Sequence, residues 1–343
     1  MELKQLCEIH APSGDEGQLR KLLLEEGKRL CGAENARIDR SGNVVCTRKG
    51  TQPGKPHVCV SAHMDEVGFI IEAATEDGLL RFHPIGGIDP RVVVSKRVLV
   101  GRDLLPGVIG AMAIHLQSAA DRNRVLGFDG LYIDIGAKDK AEALAKCPVG
   151  TYAYFDTPYQ PFGDGFVCAK ALDDRVGCAI LMQLLANDYE CDFYGVFTVQ
   201  EEVGLRGMYA AAYSVAPDVV IVLEGTTAND MPEVKNVGFV TKMSHGPAIS
   251  FMDNATIVSP DMFKALTETA NTAGIKWQPR QGTTGANDQG PAQRMRAGCK
   301  TGCISVPCRY IHSPASIADI DDIMGAYALA DAFLKNKNFN EVL

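Results

Sequence analysis

Imidazoles and carboxylates recur in this chain where apolar, strand-like runs end. His63 and Asp65 follow the run His57–Ala62, Glu201 and Glu202 follow Phe193–Val199, and Glu224 follows Val219–Leu223. His312 trails Gly302–Val306 by a few residues, and Asp173 with Asp174 opens a helical stretch carrying Val176 and Ile180. In open α/β sheets ligands collect outside the carboxyl ends of the strands, where these side chains would gather. Two histidines with several carboxylates and no cysteine suit zinc, cobalt or manganese, in a hydrolytic site rather than a closed structural one. Two ions ~3.5–4 Å apart need a shared ligand, which one Asp can supply with an oxygen to each, and they hold a water between them. A further carboxylate must take that water's proton. Glu201 and Glu202 offer a ligand and a base from adjacent positions.

Each piece has a plainer meaning by itself. A Glu-Glu pair is usually solvated, and Asp173-Asp174 could merely complement a helix N-terminus. Asp65 reads equally as a turn residue and Glu224 as a loop charge; His10, His57, His83, His115 and His245 read as ordinary histidines. The joint pattern at strand ends is what points to a dinuclear hydrolase.

The elements that must position these residues follow from periodicity. Ser13 and Glu16 form a capping-box pattern ahead of Leu19, Leu22, Leu23 and Leu30, which recur at helical spacing. A strand over Val44–Thr47, helices over Leu205–Ser214 and Phe263–Ala273, and a long closing helix over Ile317–Leu334 complete an alternating order. That order predicts an α/β fold with a sheet covered on both faces. Residues 67–164 differ: short strands lie close together, Asp77-Gly78 turns a hairpin between Gly68–Ala73 and Leu79–His83, and helical spacing is confined to Lys138–Ala145. The expected organisation is a discontinuous α/β catalytic domain, 1–66 and 165–343, interrupted by a β-rich domain at 67–164.

Composition bounds the function. At 343 residues, 46% hydrophobic and 22% charged, the chain can fill a large domain and a smaller one. A net charge of −8 argues against a nucleic-acid or anionic-membrane surface. No apolar run approaches the ~20 residues of a membrane span, and no basic-then-apolar leader opens the sequence, so a soluble cytoplasmic protein is expected. The eleven cysteines include no CxxC pair; Cys299, Cys303 and Cys308 read as buried thiols rather than a zinc knot.

Six stretches taken in order resemble one known family: Ser-Ala-His-Met-Asp-Glu-Val-Gly-Phe (61–69), Gly-Gly-Ile-Asp-Pro-Arg-Val (86–92), Leu-Pro-Gly-Val-Ile-Gly (105–110), Lys-Ala-Leu-Asp-Asp-Arg-Val-Gly (170–177), Gln-Glu-Glu-Val-Gly-Leu-Arg-Gly (200–207) and Arg-Tyr-Ile-His-Ser-Pro (309–314). They are similar to the tetrahedral metallo-aminopeptidases, which include glutamyl and deblocking aminopeptidases and proteins once labelled cellulase M. The resemblance implies a mixed-sheet, phosphorylase/hydrolase-like catalytic domain with an inserted β-rich, barrel- or PDZ-like dimerisation domain. It implies that His63 and Glu224 bind one divalent ion, Glu202 and His312 another, and that Asp173 bridges them. The ions would be zinc or cobalt, or else manganese. Glu201 would be the general base, Asp65 would orient His63, and a cis peptide bond would precede Asp174. Short peptides would be the substrates, and dimers would assemble into a dodecamer.

Two departures stand out: many relatives carry Asp where this chain has Glu224, and the family's Gly-Thr-Asp-Ala run becomes Gly282-Thr283-Thr284-Gly285-Ala286-Asn287-Asp288. Rival readings are a deacylase or carboxypeptidase on the same dinuclear site, a glycoside hydrolase, and a non-catalytic subunit retaining the fold.

Overall fold

Along the run Val219–Leu223 the side chains alternate between two cores: Val219, Ile221 and Leu223 enter one, Val220 and Val222 the other. A strand apolar on both sides must be covered on both sides, and the computed structural model, which describes residues 2–232 and 238–335, shows how. The strand belongs to an eleven-stranded mixed sheet. Its centre is parallel: Asp192–Thr198, His57–His63, Val219–Thr227 and Lys300–Arg309 lie side by side in that order. One face carries the helices Leu172–Leu184 and Ile320–Leu334; the other is covered by Arg206–Val215, through Met208, Ala211, Ala212 and Val215.

Between the two passes of the chain through this sheet stands a closed antiparallel barrel of six strands: Gly68–Ala74, Leu80–Ile85, Leu131–Asp134, Leu105–Ala111, Arg97–Val100 and Tyr152–Phe155. Phe69 fills its centre, meeting Phe82 and Phe155 edge-on at centroid distances of 5.0 and 5.1 Å. The next strand, Gln160–Phe162, already pairs with Phe166–Ala169 of the large sheet.

Three local expectations are corrected. The closing helix starts at Ile320, because Ser316–Asp319 pairs as an edge-side strand with Phe166–Ala169 and Asp319 then caps the helix through the Asp321 N–H. Glu224 lies inside its strand, Val219–Thr227, rather than beyond it, since parallel pairing with Lys300–Arg309 continues to Thr227. The capping box does not form: the helix Gly17–Cys31 is preceded by Glu16 without a side-chain cap, and the Ser13 hydroxyl points elsewhere. All eleven cysteines are free thiols. Among the described residues no helix is long and apolar enough to cross a membrane.

Candidate metal centre

Register brings the first two functional side chains together. Val222 pairs with Ser61, and two residues further along each strand come Glu224 and His63, whose Oε1 and Nε2 are 3.2 Å apart. Asp173 arrives from the segment leading into the helix Leu172–Leu184, where a left-handed Ala171 and non-helical dihedrals at Asp173 and Asp174 keep the chain off the helical path; the Asp173–Asp174 peptide bond is cis. Gly225 allows this approach, because a Cβ there would lie 2.9 Å from the Asp173 Cα and Oδ1. Glu201 and Glu202 sit in the turn after Asp192–Thr198, next to a left-handed Gln200, and His312 is itself left-handed. Left-handed backbone at Ala171, Gln200 and His312, beside a cluster of acids and imidazoles, is strain held in place by the surrounding fold.

Asp173 stands between the two histidines. Its Oδ1 is 3.3 Å from His63 Nε2 and its Oδ2 is 3.5 Å from His312 Nε2. Glu202 Oε2 flanks His312 Nε2 at 3.2 Å, matching the place of Glu224 beside His63. Each ring turns its Nδ1 to a backbone carbonyl, His63 to Asp65 at 3.1 Å and His312 to Gly87 at 3.0 Å. A carbonyl only accepts, so Nδ1 carries the proton and the Nε2 lone pairs face the carboxylates.

Lone pairs set against buried carboxylates call for cations between them. The electrostatics agree. Burial, with the neighbouring charges of Asp173 and other acids, pushes Glu224 up to about 8 and Glu202 up to about 7. Burial and the acids Glu224, Glu202 and Asp288 hold Glu201 well above the usual carboxylate range. Burial would lower His312, but Glu202 and Asp173 raise it to about 9. Three glutamates and an imidazole favouring protonation, around an Asp173 that His312 and His63 hold ionised against its burial, mark an uncompensated negative cluster. Glu224 Oε2 is buried with no hydrogen-bond partner. Donor atoms of His63, Asp173 and Glu202 lie within 4.8 Å of one another, as do those of His63, Asp174 and Glu224. Asp174 is already spent, with Oδ2 accepting the His63 N–H at 3.1 Å and Oδ1 the Gly177 N–H at 3.0 Å. The donor set fits divalent ions bound by nitrogen and oxygen.

Asp65 is fully buried at the rear of the cluster. Its carboxylate lies 3.6 Å from His63 Nδ1, and it accepts the N–H of Glu201 at 3.0 Å and of Glu202 at 3.2 Å. The Glu201 side chain lines a cavity of about 720 Å³ together with His63, Asp173, Glu202, Glu224 and His312.

Other residues here gave no signal along the sequence. Thr198 donates to the buried Asp288 at 2.6 Å, leaving Asp288 Oδ1 unpartnered, and burial raises Asp288 to about 6. Arg280 reaches the cavity wall held by Thr226 Oγ1, the Gly282 carbonyl and the Thr284 carbonyl, with Gly285 beside it. Residues 280–288 carry no periodicity, and only their difference from the resembled family pointed to them.

Known proteins share this arrangement of elements. The structure of an aminopeptidase from the archaeon Desulfurococcus kamchatkensis superposes with a TM-score of 0.93 at 35% identity, covering 99% of this chain and 95% of that one. The Pyrococcus horikoshii TET1 peptidase, described as assembling into a tetrahedron or a large octahedral shell, matches with a TM-score of 0.86 at 30% identity over 97% and 98% of the two chains. The lysyl aminopeptidase of Pyrococcus furiosus is 30% identical over 344 residues, 97% of this chain and 96% of its own length. The family model of the M42 glutamyl aminopeptidases matches residues 42–329. With its mixed sheet, its barrel and this sequence match over most of its length, the chain belongs to the M42 glutamyl aminopeptidase family of peptide-bond hydrolases.

Proposed function

We propose that this hydrolase is a metal-dependent aminopeptidase that removes N-terminal residues from short peptides, using two divalent ions and a glutamate base. The observation that carries this reading is Asp173, with one oxygen toward each Nε2 and a glutamate completing each side. His63 and Glu224 would hold one ion, His312 and Glu202 the other, and Asp173 both. Zinc, cobalt and manganese all suit these donors. When bound, the ions polarise the scissile carbonyl and make the attacking water more acidic.

Glu201 is left over from ligation and faces the cavity. It takes the proton of the attacking water and returns it to the departing amine. Asp65 fixes that base by accepting the backbone N–H groups of Glu201 and Glu202.

Assembly of dimers into a dodecamer is part of this reading, and the dodecamer and the tetrahedron of the TET1 relative support it. It is supported also by exposed apolar side chains on one excursion of the barrel, Met112, Ile114, Leu116 and Val125. Residues 67–164 would then serve as the dimerisation domain.

Turnover of unblocked and N-acetylated aminoacyl chromogenic substrates tests the reading, using chelated enzyme with each metal restored separately. Cleavage of free-amine substrates alone is the expected result, and release of the chromophore from the acetylated ones would show that no free amine is required and overturn the aminopeptidase reading. Glu201→Gln is expected to lower kcat about 10²–10⁴-fold with both ions retained. Loss of metal along with activity would make Glu201 a ligand instead.

A further inference from the structure

The Ser13 hydroxyl donates to Asp65 Oδ2 at 2.6 Å, across 52 residues of sequence. Asp65 therefore accepts three donors: Ser13 and the Glu202 N–H on Oδ2, and the Glu201 N–H on Oδ1. With Ser13 on one oxygen, rotation about Cβ–Cγ is pinned and the other oxygen faces the Glu201 N–H. Without it, Oδ1 is free to swing toward His63 Nδ1, 3.6 Å away.

The hydroxyl is delivered by a segment that cannot easily move. Ser13 N–H donates to the Glu66 carbonyl at 3.2 Å, Ala11 N–H to Glu66 Oε1 at 2.8 Å, and Glu66 N–H to the Ala11 carbonyl at 3.0 Å. Glu66 is buried between Lys170 and Arg175, which also reach back to the carbonyls of Ile9 and Leu6. Meanwhile the helix Gly17–Cys31 goes without a side-chain cap, a contribution of about 1 kcal/mol to helix stability. The Ser13 hydroxyl serves the acid pair instead.

We propose that Ser13 is a positioning residue for peptide hydrolysis, setting the Glu201–Glu202 turn through Asp65. The proposal rests on the reading of Glu201 as the base. Small displacements of a reacting group are costly, up to about 100-fold per ångström, and Ser13 controls a fraction of that.

Ser13→Ala and Ser13→Thr test it, each reconstituted with the activating metal and compared with the unmodified chain for kcat, KM, melting temperature and amide hydrogen exchange over residues 199–205. Ser13→Ala is expected to lose about tenfold in kcat with KM nearly unchanged, and to exchange faster at Glu201 and Glu202 with little change in melting temperature. Ser13→Thr, which keeps the hydroxyl, should restore both. Unchanged kcat or unchanged exchange in Ser13→Ala overturns the proposal, as does a threonine variant equally impaired. Should the alanine variant not fold, Ser13→Cys, a poor donor of similar volume, takes its place under the same criteria. Exchange at 199–205 is read without turnover, and Glu201→Gln tests the base separately, so a failure of either reading is recognised as its own.

Discussion

Asp173 is the residue on which the site turns, because each of its oxygens lies against a different imidazole. Asp173→Asn is therefore expected to release both ions, whereas His312→Ala should release one and keep the ion beside His63 and Glu224. Metal content per subunit, measured after gel filtration, distinguishes the two. Removing the ions altogether leaves a buried negative cluster with its repulsion exposed. An ion present at about 100 times its dissociation constant adds about 2.7 kcal/mol to stability, so chelation should lower the melting temperature by on the order of 5 °C, with recovery on adding metal back. Equal melting temperatures with and without chelator would mean that no ion is held here. His63, Glu201, Glu202, Glu224 and His312 are legible in the sequence as acids and imidazoles following apolar runs, and Asp173 as an acid opening a helical stretch. Their pairing is not, since His63 and Asp173 are 110 residues apart.

Among the elements, the strand Val219–Thr227 supplies both a candidate ligand, Glu224, and the clearance for the bridging residue. Gly225→Ala puts a methyl group against the Asp173 backbone and Oδ1, in a strand locked by neighbours on both edges. The expected cost in kcat/KM is about 10–100-fold, with weakened metal binding in a titration; normal kinetics would show that the helix lead-in can yield. The N-terminal segment offers a pH test. Burial, reinforced by Lys170, lowers His10 to about 4 from its ordinary 6.5, and its ring stacks on Tyr154 of the barrel at 4.9 Å. The folded chain thus binds fewer protons than the unfolded one between these values. Its stability is fully present above pH 6.5 and is lost as pH falls toward 4. His10→Gln should flatten the fall in melting temperature across that window by a few degrees, measured calorimetrically. An unaltered slope would assign the acid sensitivity to other groups.

For the whole molecule, the large sheet and the barrel have separate hydrophobic cores. Ile114 and Leu116 lie exposed on the barrel, on a segment apart from the metal centre. Replacing both by Asp is expected to reduce the assembled mass in light scattering while turnover of a single-residue chromogenic substrate changes little. An unchanged mass would put the assembly contacts on another face.

Much of this architecture could be read along the chain. Val219–Leu223 announced a doubly covered strand, Asp77-Gly78 a hairpin, and the run of close strands after residue 67 a β-rich body, because periodicity and turn chemistry are local consequences of burial. The short strand Ser316–Asp319 escaped notice because four residues ahead of a helix carry too few turns to separate the two periods. Sequence also determined which chemistry was available: imidazole and carboxylate, with cysteine left to the core. Tertiary structure decided which oxygen meets which nitrogen, through the register that sets His63 beside Glu224 and the backbone that turns Asp173 between two rings. Ser13 shows the difference most plainly. Its neighbours in sequence promise a helix cap, but a hydroxyl bonds whichever buried acceptor the fold brings to it, and here that acceptor is Asp65.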